Sequence, residues 1–388
     1  MMVRIMQRNL HLGYGYTALA YFGITSLWVI FLQQRGLSLV QIGLCESIFH
    51  LTSLLSEVPS GMLADRFGYK IVLMGGRVAA IVHAIIMLMA TNFWWFALGF
   101  VLQAWAYNLQ SGTIEALLYD SLAENHATER FPVVTKNMNM IIEIATPVGV
   151  LLAGGLIHGH LNVTYLLYAL SAGLAIGCIL QLHEPFRDQT TPATDAQSLI
   201  AISRSAAKWL RQFSALRHLM VFHAAFSALG TMYYYYFQSV MTAKGFSGLL
   251  ISGILVITAI LNVGGVQLTP WLQRKWPQTQ LLRGLAIVLA GALISALWAN
   301  TLGLVGGYLL INLLSAVIEP LLSNYYNQLI PSAQRATLLS ISSMIFSLMM
   351  VVLFPVMGWL VEQSSFAVAF GGAGVVVLIC GWLVFHRQ

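Results

Sequence analysis

The sequence predicts an all-α membrane protein in which twelve transmembrane helices form two similar six-helix bundles. Three observations support this fold class. The 388 residues are 58% hydrophobic and only 8% charged, whereas soluble domains carry about 25% charged residues. Twelve apolar stretches reach the length of about 20 residues that a helix needs to cross a bilayer. Two short sequence patterns in the first half of the chain recur in the second half.

The apolar stretches follow one another with mostly short polar connections, and each one predicts a transmembrane span. They cover residues 9–34, 39–60, 71–91, 94–123, 131–158, 163–183, 217–242, 247–272, 280–300, 303–328, 336–361 and 364–386. No cleavable signal peptide is expected, because the basic start runs into a full-length span without a small-residue cleavage site.

Basic residues predict the orientation of the spans, because cytoplasmic loops of membrane proteins carry an excess of Lys and Arg. With the N-terminus inside, sixteen basic residues lie at the inner side and only Arg35 and Lys244 lie outside. Both termini are therefore predicted to be cytoplasmic. The formal net charge of +6 follows from this topology and predicts no nucleic-acid partner.

A polar stretch at residues 184–216 separates the sixth and seventh spans. Its beginning contains Pro185 and Pro192, and residues 196–214 alternate apolar and basic side chains at helical spacing. This pattern predicts a cytoplasmic linker with an amphipathic helix on the membrane surface. The predicted units are a six-helix bundle at 1–183, this linker, and a second bundle at 217–388.

An internal repeat relates the two halves. Residues 108–118 in the fourth span recur as residues 312–322 in the tenth, with seven of eleven positions identical. Residues 35–38 after the first span resemble residues 244–247 after the seventh. Matches between corresponding spans predict two parallel repeats of six helices.

The ten residues from Gly61 to Lys70, GMLADRFGYK, form a polar island between the second and third spans. Gly61 and Gly68 permit a tight turn. Asp65 can accept hydrogen bonds from a helix N-terminus, and Arg66 and Lys70 can pair with acids or anionic lipid. This island resembles the loop between the second and third helices of the major facilitator superfamily. The resemblance implies a secondary transporter that works by alternating access.

Within that superfamily, the chain looks most like bacterial proton-coupled drug exporters. The resemblance implies a cytoplasmic gating relay of Asp65, Arg66, Lys70 and Asp120. Two features depart from the exporters. Asn108 stands where they often carry Arg, and their fifth-helix signature G-P-x-x-G-G is present only in part, at residues 146–149 and 154–155.

Charged residues inside the spans are candidates for transport chemistry, because a charge at the bilayer centre costs about 2.5–3.5 kcal/mol and usually faces a cavity. They are Glu46, Arg77, Glu115, Glu143 and Glu319. We expect Glu143, Glu319 and Glu115 to couple protons or to bind a substrate cation, with hydrogen bonding between helices as the structural alternative. We expect Arg77 to act as a latch that pairs with Glu57 or Asp120.

Polar and aromatic residues are candidates for lining the transport cavity. Tyr14, Tyr21 and Trp28 are seven residues apart and are predicted to share one helix face. The predicted lining residues are Tyr21, Trp28, Asn108, Ser111, Tyr234, Tyr235, Gln238, Asn312, Ser315 and Tyr326. Aromatic faces with carboxylates suit flat cationic molecules, although tyrosines also occur at membrane interfaces without binding anything.

The sequence therefore predicts proton-coupled efflux, by antiport, of small amphipathic or cationic compounds from a monomer in the bacterial inner or plasma membrane. The alternative is uptake or symport of a small metabolite or sugar, which a cavity rich in Gln, Asn and Arg favours. The sequence contains no phosphate-binding loop and no metalloprotease motif, so we expect neither an enzyme nor a cofactor. The three cysteines lie in predicted spans and indicate no metal site. The expected partners are the substrate, protons and membrane lipids.

Overall fold

The computed structural model describes residues 2–157, 159–186, 214–298, 300–329 and 335–386. All regular elements in these ranges are helical. The α-helices are α1 (Met2–Ala20), α2 (Trp28–Gln34), α3 (Leu39–Phe67), α4 (Tyr69–Met89), α5 (Phe93–Gln110), α6 (Thr113–Ala123), α7 (Phe131–Gly155), α8 (Asn162–Gln181), α9 (Ser214–Ala243), α10 (Gly248–Lys275), α11 (Gln278–Ile294), α12 (Thr301–Leu329), α13 (Arg335–Gln363) and α14 (Phe366–His386). Short 3-10 helices occupy Thr128–Arg130 and Ser295–Trp298.

Eight helical segments in the described ranges are long and apolar enough to cross a membrane. They lie in α3, α4, α7, α8, α10, α11, α12 and α13. The protein is therefore a multi-pass membrane protein. Twelve spans and two cytoplasmic termini stay predictions.

The first predicted span is not one helix, because the chain leaves the helical conformation between α1 and α2. At this break, two backbone carbonyl groups each accept a hydrogen bond from a side-chain hydroxyl group. Ser171 Oγ donates to the carbonyl of Leu19 at 2.6 Å, and Thr146 Oγ1 donates to the carbonyl of Tyr21 at 2.9 Å. Irregular backbone inside a membrane protein requires such internal partners.

The expectation that Tyr14, Tyr21 and Trp28 share a face is consequently wrong. A spacing of seven residues keeps side chains on one face only in a continuous helix. Residues 21–27 are not helical, so the periodicity is lost between the first and the last of these aromatic residues.

The fourth predicted span is also broken, between α5 and α6. Gly112 has a φ of 75° and lies in the left-handed region, which glycine adopts most readily. A Cβ atom added there would have no neighbour within 4 Å. The backbone conformation, and not a shortage of space, therefore explains the glycine at this break.

The chain divides into two compact units. Unit 1 comprises Met1–Phe31 and Ile48–Ala201, and unit 2 comprises Leu32–Ser47 and Ile202–Gln388. The predicted linker with its amphipathic helix falls mostly on residues 187–213, which lie outside the described ranges. The boundaries at 183/184 and 216/217 stay predictions.

Each unit has its own apolar core. In unit 1, buried side chains from α1, α4, α6, α7 and α8 pack together around Leu73, Leu117 and Ile179. In unit 2, aromatic rings from α9, α12 and α14 form a cluster in which Tyr233 contacts Tyr308 and Phe370. These cores hold the helices that carry the polar residues described next.

Candidate functional site

The polar island at residues 61–70 forms the end of α3, a turn at Gly68 and the start of α4. Gly68 has a φ of 86°, which explains the glycine. Gly61 was expected at a turn, but it lies inside α3, because the helix continues to Phe67.

Glu184 caps the N-terminus of α4. Its Oε1 accepts a hydrogen bond from the backbone N–H of Tyr69 at 2.6 Å, and its Oε2 accepts one from the N–H of Lys70 at 3.0 Å. A carboxylate at this end of a helix satisfies free N–H donors and interacts favourably with the helix dipole. Sequence analysis missed Glu184, because it lies 115 residues from Tyr69 along the chain.

The predicted relay residues of unit 1 occupy different surroundings. Asp120 Oδ2 accepts a hydrogen bond from the hydroxyl of Tyr69 at 2.7 Å, and Lys70 Nζ donates to the carbonyl of Leu180 at 3.3 Å. Asp65 and Arg66 are exposed at the end of α3. The structure thus joins Asp120 to the start of α4, and the charge relay stays a prediction.

Five residues form what we call the unit 1 polar cluster: Tyr16, Tyr21, Arg77, Gln110 and Glu115. Arg77 is only 2% exposed. Its Nη2 donates to Oε1 of Gln110, which also accepts a hydrogen bond from the Tyr16 hydroxyl at 3.4 Å. The guanidinium carbon lies 5.7 Å from the centroid of the Tyr16 ring. Tyr21 lies at the start of the break after α1, five residues after Tyr16.

Arg77 does not form the predicted latch with Glu57 or Asp120. Within the described part of the chain its hydrogen-bond partner is Gln110, which ends α5 and lies beside the helix break. Sequence analysis missed Gln110. Its signal was an uncharged polar residue two positions before a glycine in the middle of an apolar span.

Glu115 lies in the first turn of α6 because the break places the helix start at Thr113. As the third helical residue after Gly112, it occupies the position from which a carboxylate faces the free N–H groups of the first turn. Its Oε2 is buried and has no hydrogen-bond partner among the described residues, and the same is true of Arg77 Nε. Ser111 is exposed in the break itself.

Asn108 and Trp28, two predicted lining residues, take part in packing within unit 1. Asn108 Nδ2 donates to the carbonyl of Ser53 at 2.6 Å and to Ser56 Oγ at 2.8 Å, and its Oδ1 accepts from Ser53 Oγ at 2.8 Å. Trp28 packs edge-on against Phe100 with ring centroids 5.2 Å apart. The donors of the Asn108 amide are therefore used in holding α5 against α3.

Glu143 has a different environment from the other acids of unit 1. It lies at the centre of α7 and is exposed. It forms no hydrogen bond or ion pair with the residues that the structure describes. A carboxylate at mid-span normally faces water or a polar cavity, and the role of Glu143 in proton coupling or cation binding stays a prediction.

A second cluster of titratable residues lies in unit 2 and joins α9 to α12. Oε1 of Glu319 lies 3.0 Å from Nε2 of His223 and accepts a hydrogen bond from Ser227 Oγ at 3.2 Å. The other ring nitrogen of His223 lies 3.2 Å from the hydroxyl of Tyr326. The side chains of Glu319 and His223 are 60% and 15% exposed. The Glu319 carboxylate is therefore accessible on one side and contacts His223 and Ser227 on the other.

Helix geometry explains why these residues meet. His223 and Ser227 are four residues apart on α9, and Glu319 and Tyr326 are seven apart on α12, so each pair lies on one face. Sequence analysis identified Glu319 and Tyr326 but missed His223. The histidine lies inside a predicted span, and counting it with the charged residues would have found it.

The remaining predicted lining residues lie on the same two helices of unit 2. Tyr234 and Tyr235 are half-buried and their rings meet edge to face at 5.1 Å. Asn312 Nδ2 donates to the carbonyl of Tyr308 and Ser315 Oγ donates to that of Ile311, so both bond within α12. Gln238 is buried, and neither polar atom of its amide has a partner in the described ranges.

Comparison with known proteins identifies the relatives of this chain. The sequence model of the Major Facilitator Superfamily matches residues 10–352. The uncharacterized MFS-type transporter YxaM of Bacillus subtilis (strain 168) is 39% identical over 61 residues, 15% of this chain. The inner membrane transport protein YajR of Escherichia coli (strain K12) is 27% identical over 115 residues, 30% of this chain. These alignments span only 15% and 25% of the two relatives.

The fold is similar to that of solved transporters along nearly its whole length. The crystal structure of the nucleoside transporter NupG superposes with a TM-score of 0.76 at 16% sequence identity, and the match covers 99% of both chains. At this identity the likeness concerns the fold alone.

Proposed function

This chain belongs to the major facilitator superfamily, and we propose that it is a proton-coupled secondary transporter whose proton site is the contact between Glu319 and His223. The family and the fold support secondary transport and indicate a transporter rather than an enzyme. The single observation that carries the proton site is the 3.0 Å contact between a half-open carboxylate and an imidazole.

The chemistry of this pair suits proton exchange. Histidine changes its charge near neutral pH more readily than any other side chain. A protonated His223 forms a charge-assisted hydrogen bond with the Glu319 carboxylate, and loss of that proton weakens the contact. The hydroxyls of Ser227 and Tyr326 keep both groups in place. The exposed side of Glu319 gives protons or a substrate access to the pair.

The first candidate for the cargo is a small amphipathic or cationic compound that is exported in exchange for protons. Two observations support it. Glu143 is exposed and unpaired within the described ranges at the centre of α7, and Tyr234 and Tyr235 present half-buried rings. A carboxylate and aromatic faces attract organic cations through charge and cation–π interactions.

The second candidate is uptake of a small polar metabolite together with protons. The unit 1 polar cluster supports it, because Arg77 and Gln110 offer hydrogen-bonding groups that a lipophilic cation does not use. The fold likeness to NupG, a nucleoside transporter, is compatible with such a cargo.

Transport into proteoliposomes separates the two candidates. An acidic interior drives accumulation by antiport, and an acidic exterior drives accumulation by symport, with ethidium and uridine as the two test compounds. One pH unit corresponds to about 1.4 kcal/mol for each proton, or roughly tenfold accumulation at one proton per cycle.

The variant Glu319→Gln tests the proton site. It cannot gain or lose a proton, so we expect accumulation to fall to the level without a gradient while exchange of labelled for unlabelled substrate continues. Glu129→Gln removes an exposed acid elsewhere and should behave as the wild type. Gradient-driven accumulation by Glu319→Gln at the wild-type level would exclude this proton site.

A further inference from the structure

We infer that the unit 1 polar cluster is a ligand site for small uncharged polar molecules that present a hydrogen-bond acceptor beside a donor, such as nucleosides or sugars. The inference rests on the proposed function in taking the chain as a transporter, and it names the class of substrate. It favours the second cargo candidate over permanent organic cations.

The first step of the argument is an unused donor. Arg77 is almost completely buried, yet its Nε has no acceptor among the described residues. Most buried polar groups in proteins have a hydrogen-bond partner, and the exceptions are commonly functional. A ligand that brings an acceptor to Arg77 satisfies this donor.

The second step is an unused acceptor in the same cluster. The Oε2 of Glu115 is buried without a donor in the described ranges. Glu115 lies five residues after Gln110, the hydrogen-bond partner of Arg77, across the break between α5 and α6. The cluster therefore offers one donor and one acceptor together.

The third step concerns the backbone. Two predicted spans are interrupted at this cluster. The first interruption begins at Tyr21, and the second follows Gln110. The hydrogen bond from Tyr16, five residues before the first break, to Gln110, which directly precedes the second, ties the cluster to both breaks. Discontinuous helices in transporters typically surround the substrate, and Tyr21 is only half-buried there.

The charges of the cluster select against permanent cations. Arg77 keeps its positive charge at any physiological pH. The charge of Glu115 is partly offset by the N-terminus of α6, where the helix dipole favours an anion. A cation without hydrogen-bonding groups would be repelled by the guanidinium and would leave both unused atoms without partners.

Binding to the purified full-length protein in detergent, without any proton gradient, tests this site. The probes are labelled uridine, labelled D-xylose and tetraphenylphosphonium, a permanent cation without donors or acceptors. We expect the wild type to bind at least one of the two neutral probes and not the cation.

Two variants locate the binding within the cluster. Glu115→Gln replaces one carboxylate oxygen by an NH₂ group and removes the negative charge, so the acceptor is weakened, and we expect at least tenfold weaker binding. Arg77→Lys keeps the charge but loses the planar donor group, and we expect a similar loss. Glu129→Gln makes the same chemical change at an exposed position and should bind as the wild type does.

The outcomes distinguish this site from the proton site. Binding of tetraphenylphosphonium alone, binding of no probe, or neutral-probe binding that both cluster variants leave unchanged would overturn the inference. The ligand site is judged by the binding data for Glu115→Gln and Arg77→Lys, and the proton site by transport with Glu319→Gln. If that last variant transports normally in proteoliposomes, the proton site is refuted while the ligand site stands.

Discussion

The fourth predicted span and its repeat in unit 2 have closely similar sequences but different structures. Seven of eleven residues are identical between 108–118 and 312–322. The first copy is interrupted between α5 and α6, whereas the second lies inside the continuous helix α12. Gly112 in the first copy corresponds to Ala316 in the second. The shared pattern therefore predicts helical segments in both copies, and the left-handed Gly112, which is Ala316 in the second copy, lies at the break.

The break also changes the chemistry of the two acids that the repeat aligns. Glu115 lies at a helix N-terminus, where its carboxylate interacts with the backbone. Glu319 lies well inside α12, where its backbone is already bonded, and its carboxylate contacts His223 and Ser227 instead. Only the second acid contacts a histidine in the described ranges, so the proton site is proposed for unit 2 alone.

The variant His223→Gln is expected to have the largest effect, which is a loss of proton coupling. Glutamine retains polarity but cannot carry the proton, so gradient-driven accumulation should fall about tenfold for each pH unit, as in Glu319→Gln. Residues that act as one unit show strongly non-additive effects, so the double variant should be no worse than either single variant. Accumulation and exchange in proteoliposomes measure this.

His218→Gln is the matched control, because His218 lies on the same helix and is exposed. It should accumulate substrate as the wild type does. Additive losses in the double variant, or an equal loss in His218→Gln, would show that Glu319 and His223 do not form a common proton site.

The next effect concerns the break itself, and Gly112→Ala tests it. A left-handed residue with a Cβ costs about 1–2 kcal/mol, so the variant should unfold more readily by roughly that amount. Gly173→Ala in α8 is the control, because neither position has an atom within 4 Å of an added Cβ and only Gly112 has a positive φ. We expect Gly173→Ala to be neutral or stabilising by up to about 1 kcal/mol. Unfolding in denaturing detergent, followed by tryptophan fluorescence, compares the two.

A more stable Gly112→Ala variant would mean that α5 and α6 can join into one helix. In that case the difference between the two copies would not be fixed by backbone conformation, and the position of Glu115 at a helix end would need another explanation.

Much of the helical architecture could be predicted, but the helix breaks could not. Hydropathy locates the apolar segments, and it is insensitive to one or two residues within them. The break after α1 depends on hydroxyl groups from Thr146 and Ser171, which lie 125 and 152 residues away from their acceptors. A glycine lies in each break, Gly23 in the first and Gly112 in the second, but a glycine inside a membrane helix is also compatible with close helix packing.

The charged residues of the candidate site could be predicted, because charged residues are rare in an apolar span and are easily recognised there. Arg77, Glu115 and Glu319 were found in this way. Their partners were not, because Gln110 and His223 are uncharged in the sequence count and contact their partners only after folding. The contact between His223 and Glu319 joins residues 96 positions apart, so no periodicity within one helix predicts it.

The other repeat, residues 35–38 and 244–247, has a similar structure in both copies. Gly36 and Gly245 have φ values of 86° and 77°. A serine follows each of them after one further residue and caps the next helix. Ser38 Oγ accepts from the N–H of Gln41 at 3.2 Å, and Ser247 Oγ accepts from the N–H of Leu250 at 3.3 Å.

The smallest expected effect is a difference in stability between Ser38→Ala and Ser247→Ala. The loss of a serine cap costs typically about 1 kcal/mol. The first turn of α3 has further caps, because Gln41 Oε1 accepts from the N–H of Ser38, and Glu362 accepts from the N–H groups that begin the helix. Ser247 supplies the single side-chain cap that the described residues give to α10.

Ser247→Ala should therefore cost about 1 kcal/mol and Ser38→Ala about half of that, measured by the same unfolding experiment. The reason is that the neighbouring acceptors in the first copy keep the start of α3 in place when one of them is lost, whereas α10 has no substitute among the described side chains. Equal losses would indicate that each hydrogen bond contributes independently, and a larger loss in Ser38→Ala would contradict the idea that additional caps protect the first copy.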